Sequence, residues 1–208
     1  MSSVVIVILL ASVSAAFAPS PDIVWQPPKL DRPDTLPKAT VSKEMITNLR
    51  VEKTQVILEE TRLDEVRKNL GGTIGSHGDA SEALQWLCFR GSDAKGKWAL
   101  WLESSEMGGG TVDGFAWQRI AGKATVDRRC RTQGVEVALP VGLGIGSTES
   151  EVRRILGSPT VRYRNTLIFH HEHEENIRNE PFTASNTVYL ELRNGAVWTI
   201  QVWKITSN

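Results

Sequence analysis

A short repeated sequence constrains the fold of this chain more than any other feature. Residues 65–71 read EVRKNLG and residues 151–157 read EVRRILG, an offset of 86 at which five of the seven residues are identical. In both copies apolar residues recur at helical spacing, and a glycine stands where helices commonly end. Two copies of one helical segment at a fixed separation predict an internal structural repeat.

The second copy carries the clearer helix signals. Thr148 and Glu151 have the spacing of a capping box, in which each side chain satisfies a free backbone N–H of the other residue. Gly157 and then Pro159 stop the helix. These signals predict a helix over residues 148–156, and the first copy predicts one over residues 62–70.

Strand patterns follow each predicted helix. WLE at 101–103 matches YLE at 189–191 with an offset of 88, and Trp117 matches Trp203 with an offset of 86. A helix followed by three strands, twice over, predicts an α+β fold of two tandem helix-plus-antiparallel-sheet repeats. Its predicted segments are a signal peptide (1–18), a proline-rich linker (19–40), repeat one (41–124), an inter-repeat linker (125–140) and repeat two (141–208).

The first 18 residues are typical of an export signal. They carry no charged side chain, run apolar from Val4 to Leu10 and end in Ala16-Phe17-Ala18, an A-x-A-like cleavage site. A transmembrane anchor is the alternative, but the apolar stretch of about 15 residues is too short to span a bilayer. We therefore expect an exported protein, periplasmic or extracellular. In that setting Cys88 and Cys130 are expected to pair, and no cysteine near the signal offers a lipid anchor.

Composition and motifs argue against several functions. The formal net charge is zero, which gives no reason to expect nucleic acid as a partner. The glycines of residues 142–146 lack the GxGxxG spacing, and residues 91–97 match GxxxxGK but are followed by Trp98 where a Ser or Thr is needed. We therefore expect no enzyme activity and no cofactor.

The last hairpin allows two registers. Asn194-Gly195 favours a two-residue turn, which would mix polar and apolar side chains on one face. A three-residue loop over 193–195 instead pairs Leu190 with Trp198 and keeps the faces distinct. The burial pattern therefore predicts the three-residue loop.

The polar face of the predicted sheet is the strongest functional feature. It combines large aromatics with carboxylates, a composition typical of protein-binding surfaces. The predicted partner-binding residues are Trp101, Glu103, Trp117, Tyr189, Glu191, Gln201 and Trp203. The alternative is that the linker, the loops or the other repeat cover these aromatics, and Trp25 of the linker is expected to dock on the folded body.

The segment from His170 to Glu175, HHEHEE, is a weaker candidate for a metal site. On an extended strand His171 and His173 share a face, but the HExxH spacing of helical zinc sites is missing. A solvated surface hairpin is the alternative, and we expect no bound metal.

The stretch Gly146-Ser147-Thr148 to Leu156-Gly157-Ser158-Pro159 resembles the BamE (SmpA/OmlA) family, and the tandem arrangement resembles the β-lactamase inhibitory protein-like superfamily. The resemblance covers about residues 55–208. It implies one continuous curved sheet with the helices packed on one face, and a non-enzymatic exported binder that uses the open face.

Three functions are therefore compatible with the sequence. The first is an exported protein-binding module, such as an inhibitor or immunity-type protein, whose partner is another exported or envelope protein. The second is a structural or assembly protein of the cell envelope. The third is a metal-binding protein or enzyme that uses the His170–Glu175 segment.

Overall fold

The structure is a computed structural model that describes residues 23–79, 82–132, 136–177 and 179–207. The predicted signal peptide (1–18) and the first residues of the predicted linker lie outside the described residues. No helix within the described ranges is both long and apolar enough to cross a lipid bilayer.

The described residues form thirteen strands and two α-helices. Their bounds are β1 Ile23–Val24, β2 Asn48–Val51, β3 Thr54–Ile57, α1 Leu63–Leu70, β4 Ile74–His77, β5 Leu84–Asp93, β6 Gly96–Ser105, β7 Gly114–Arg119, β8 Thr125–Val126, β9 Val137–Ala138, α2 Glu149–Leu156, β10 Val161–Tyr163, β11 Thr166–Ile177, β12 Glu180–Arg193 and β13 Ala196–Ser207.

One large antiparallel sheet dominates the fold. Its eight strands lie in the order β10-β11-β12-β13-β7-β6-β5-β4. Strands β4 to β7 form one half and strands β10 to β13 the other, and the halves meet where β13 pairs with β7. A three-stranded sheet, β3-β2-β9, and a short parallel pair, β1-β8, complete the architecture.

The predicted α+β repeat fold is wrong, because the protein is mostly β. Strands make up 50% of the chain and helical residues only 9%. Each helix has eight residues, about two turns, whereas β11, β12 and β13 have 12, 14 and 12 residues. The Thr148–Glu151 capping box marks the start of α2 correctly, but it carries no information about strand length.

The main core lies on one face of the large sheet. Both helices and the three-stranded sheet cover this face with buried apolar side chains, among them Leu49, Val66 and Val152. They pack against sheet residues such as Phe115 and Phe169, both fully buried. We call this the inner face, and the opposite side of the large sheet the outer face.

The predicted register of the last hairpin is wrong. Arg193 pairs with Ala196 across a two-residue turn in which Asn194 and Gly195 both have positive φ (52° and 75°). The register then shifts at Trp198, so that Leu190 pairs with Ile200. A β-bulge thus satisfies both the Asn-Gly turn and the separation of polar from apolar faces.

Candidate functional site

The outer face carries a row of directly opposed residues. Trp86 pairs with Glu103, Glu103 with Gly114, Gly114 with Trp203, and Trp203 with Thr187, across five neighbouring strands. Side chains directly opposite one another in an antiparallel pair lie about 5 Å apart at Cβ. The two indoles therefore flank one carboxyl group on the same face of the sheet.

The glycine in this row leaves space for an indole ring. A Cβ atom at Gly114 would lie 2.5 Å from the Trp203 ring. The Trp203 indole therefore lies flat over β7 and reaches towards Glu103 on the next strand. Gly75 plays the same part for Trp86, with 2.4 Å between the added Cβ and the ring.

Most of the predicted partner-binding residues share the outer face. The strand pairings and alternation place there Trp101, Glu103, Tyr189, Glu191, Gln201 and Trp203. Trp117 does not join them, because it lies on the inner face and packs edge-on against Trp98 at 6.2 Å between ring centroids. The sequence match of Trp117 with Trp203 did not show on which face Trp117 lies, because a shift of one residue along a strand moves a side chain to the opposite face.

An N-terminal segment, residues 23–41, covers much of this face, and we call it the arm. Trp25 contacts the edge of Trp86 at 5.6 Å between centroids, and its carbonyl accepts a hydrogen bond of 3.0 Å from Trp101 Nε1. The Arg129 guanidinium stacks 4.0 Å above the Trp25 ring. Trp25 therefore docks on the folded body, as the sequence predicted.

The arm continues across the sheet as an extended, proline-rich segment. Pro27 and Pro28 line a cavity of about 340 Å³ together with sheet residues of the outer face. Further along, Asp31 forms an ion pair with Arg164. The backbone N–H groups of Thr40 and Val41 lie 3.3 Å from the His170 carbonyl, on the far half of the sheet.

The predicted pairing of Cys88 with Cys130 is confirmed. The disulfide links β5 to a segment 42 residues later in the chain. Both cysteines are buried in a second apolar cluster on the outer face, with Trp86 and Trp101. A disulfide of this kind is consistent with an oxidising, extracytoplasmic environment.

Glu103 is the most unusual side chain of the outer face. It is 1% exposed, and its Oε1 atom has no hydrogen-bond partner. Burial, reinforced by the negative charge of Asp113, raises its pKa to about 8, although the Gln201 amide acts in the opposite direction. Burial therefore favours the neutral carboxylic acid form of Glu103 near pH 7.

The corresponding carboxylate of the other half, Glu191, has a different environment. It accepts hydrogen bonds from Arg193 Nε at 2.9 Å and from Thr199 Oγ1 at 2.8 Å. Its side chain is 21% exposed, so water also reaches it. Nearby, burial raises the pKa of Tyr189, and the Arg32 guanidinium of the arm opposes this shift.

The His170–Glu175 segment continues strand β11 rather than forming a loop. His171 and His173 lie on the inner side, with 3.2 Å between Nε2 and Nδ1, and His171 Nδ1 lies 2.8 Å from the Val41 carbonyl. His170 points to the outer side, where its Nδ1 contacts Thr187 Oγ1 at 3.0 Å and burial lowers its pKa. Within the described ranges, no group of three or more metal-ligating side chains comes together.

Sequence reasoning missed two parts of this site. Trp86 belongs to the row, and alternation along β5 places it on the same side as Cys88. The sequence did not show this, because Trp86 to Phe89 are four consecutive apolar residues that are all buried. Contacts of Pro27 and Pro28 with the face were not visible, because no local pattern reports which distant surface an extended segment covers.

No family model, no curated protein and no solved structure matches this chain.

Proposed function

We propose that the protein is an exported, non-enzymatic protein-binding module that holds its partner on the outer face. The observation that supports this proposal is the arm itself, an extended proline-rich segment lying over an aromatic surface. Aromatic-lined surfaces bind such segments well, because proline fixes the extended conformation before binding and little entropy is lost. A partner segment of the same chemistry would replace the arm.

The arm is attached in a way that allows replacement. Its strand β1 has two residues and pairs with β8 and not with the large sheet. Its central part is held by side-chain contacts rather than by a strand ladder, and Pro27 and Pro28 cannot donate backbone hydrogen bonds. Segments with few backbone hydrogen bonds open at low free-energy cost.

Two further features of the chain support this function. The signal-like N-terminus and the disulfide support export, and the aromatic and carboxylate composition of the face supports a protein partner. An inhibitor or immunity-type protein is the kind of module that would bind its partner on such a face. The partner would be another exported or envelope protein.

The test measures binding of a fluorescent peptide of residues 23–34 to the mature chain carrying Trp25→Ala. This substitution removes the contact with Trp86 and loosens the protein's own arm. We expect the peptide to bind this variant at least about tenfold more tightly than the wild type, as judged by anisotropy. A peptide with Trp25→Ala should bind weakly.

Trp198→Ala is the matched control, because Trp198 is a partly buried indole at the bulge and lies away from the arm. Its loss should not create peptide binding. If the peptide binds neither the Trp25→Ala chain nor the wild type, the outer face does not recognise such segments, and the proposed function is wrong.

A further inference from the structure

A second cavity lies where the end of the β5–β6 hairpin meets β8, and we call it the hairpin cavity. Its volume is about 300 Å³, and the polar side chains in its wall are those of Arg90, Ser92, Lys97, Thr125 and Thr132. Ser92, Lys97 and Thr132 are exposed, so a ligand reaches this cavity from solution while the arm stays in place. Among the described residues, none that lines it carries a negative charge.

The Arg90 guanidinium is held at this cavity with part of its donor capacity unused. Its Nη1 donates a hydrogen bond of 2.8 Å to the Val126 carbonyl of β8, which orients the group. Its Nε is buried and has no acceptor, although the residue as a whole is partly exposed. Buried donors are normally hydrogen-bonded, because an unsatisfied one has lost its hydration without compensation. The side chain therefore lacks an acceptor that a ligand could supply.

The neighbouring carboxylates do not neutralise the positive charge of the cavity. Asp93, at the end of β5, accepts two hydrogen bonds from Arg119, at 2.6 and 2.7 Å. Asp127, directly after β8, is bound in the same way by Arg129, with both contacts at 2.9 Å. Neither cation of the cavity wall forms an ion pair within the described part of the chain. The cavity thus presents two uncompensated positive charges.

These donors suit a phosphate group better than a carboxylate. The wall offers a guanidinium, an ammonium group and the hydroxyls of one serine and two threonines. Arginine binds phosphate oxygens through paired N–H groups, and lysine binds them as a point charge. A phosphate group accepts hydrogen bonds on several sides because its oxygens are arranged as a tetrahedron, whereas a carboxylate has two oxygens in one plane.

We propose that the hairpin cavity binds a phosphate group, with Arg90 and Lys97 as its charged partners and the surrounding hydroxyls as further donors. The group belongs either to a free small phosphate or to the headgroup of an anionic phospholipid. No described residue of the arm lines this cavity. This proposal can therefore fail while the proposed function stands, and the reverse is also possible.

The experiment titrates the full mature chain with sodium phosphate at about pH 8, where the ion carries close to two negative charges, and measures the heat of binding. Sodium acetate and sodium chloride at equal ionic strength are the ligand controls. We expect saturable binding of phosphate, with acetate at least about tenfold weaker, because acetate satisfies fewer of the donors. Equal affinity for acetate would overturn the proposal.

Two cavity variants and one control locate the site. Arg90→Gln should weaken phosphate binding at least about tenfold, and Lys97→Gln at least about fivefold, because each removes a charged donor. Lys68→Gln is the matched control: it removes the same charge from an exposed lysine of α1, on the inner face, and should leave binding unchanged. Equal affinity of the wild type and the Lys97→Gln chain would overturn the proposal.

Thermal unfolding checks that lost binding does not reflect lost structure. Arg90→Gln also removes the hydrogen bond to the Val126 carbonyl, so this variant is the more prone to unfold. Lys97 is exposed, and its replacement leaves the core intact. The Lys97→Gln result therefore decides the question even where Arg90→Gln does not fold.

Phospholipid vesicles distinguish the two sources of the phosphate group. The chain is sedimented with vesicles of phosphatidylglycerol and, as the neutral control, of phosphatidylcholine. If it binds only the anionic vesicles and Lys97→Gln weakens this binding, the cavity serves a lipid headgroup. If it binds sodium phosphate and neither kind of vesicle, the cavity serves a free phosphate. The absence of both kinds of binding, or vesicle binding alone that Lys97→Gln leaves unchanged, would overturn the proposal.

Discussion

Two carboxylates with the same local sequence have opposite environments in this protein. Glu103 follows Trp101-Leu102 in one half of the sheet, and Glu191 follows Tyr189-Leu190 in the other. Both lie on the outer face. Glu103 is buried there and its Oε1 atom has no hydrogen-bond partner, whereas Glu191 is partly exposed and accepts two hydrogen bonds. Local sequence therefore sets the side of the sheet on which a residue lies, but not its environment.

The difference comes from segments that are distant in sequence. The arm, Trp203 of β13 and the disulfide-linked segment cover the first half of the outer face. Glu191 is satisfied by residues of its own hairpin, Arg193 and Thr199. The carboxyl group of this repeated motif thus has a raised pKa only in the copy that the rest of the chain buries.

The largest expected effect comes from replacing Glu103 by Gln, which should change how stability depends on pH. The pKa of Glu103 is about 8 in the folded protein, well above its ordinary value of 4.5, so the folded state binds this proton more tightly than the unfolded state. Its contribution is fully present below about pH 4.5 and is lost as pH rises through about 8. Relative to Glu103→Gln, the wild type should lose up to about 5 kcal/mol over this window.

Urea unfolding of both chains at pH 5 and pH 9 measures this loss. Glu191→Gln is the control and should show a difference of less than about 1 kcal/mol between the two pH values. If the difference in stability between the wild type and Glu103→Gln is the same at both pH values, the pKa of Glu103 is not raised by burial.

The second effect concerns the cross-link. Replacing Cys88 and Cys130 by Ala should destabilise the protein by about 4 kcal/mol, the value expected for a loop closed over 42 residues. The loss should concentrate in the first half, where β5 and β6 lie under the cross-linked segment. Hydrogen exchange measures it: amides of β5 and β6 should lose protection before those of β11 and β12, and equal loss in both halves would contradict this.

The sequence carried enough information for the local elements. The Thr148 and Glu151 pair marked the start of α2, and alternation marked which residues of β6 and β13 share a face. The amount of strand was underestimated, since the polar end of β11 follows no apolar alternation and is held by its pairing with β12. The burial of Glu103 could not be predicted, because it depends on where the arm lies.

The third effect tests the bulged hairpin that positions Glu191. Gly195→Ala places a side chain at φ 75° and should cost about 1–2 kcal/mol. Asn194→Gly is the matched change in the same turn and should be close to neutral, because glycine adopts positive φ freely. Thermal unfolding compares the two, and equal melting temperatures would indicate a different turn.

The smallest effect compares the two helix starts. Thr148 Oγ1 accepts from Glu151 N at 3.3 Å and caps α2, whereas Arg62, at the start of α1, has no side-chain acceptor. Thr148→Ala should therefore cost about 1 kcal/mol, and Arg62→Thr should add several tenths. Chemical denaturation measures both, and a loss of stability in Arg62→Thr would show that the arginine has another role.

The outline of the large sheet also bears on edge-to-edge association. Its two outermost strands, β4 and β10, have only four and three residues, and β11 extends well past β10. Exposed Glu172 and Glu174 lie along that extension. A second copy that added a strand there would bring like charges together, so the acidic run disfavours edge-to-edge pairing at this strand.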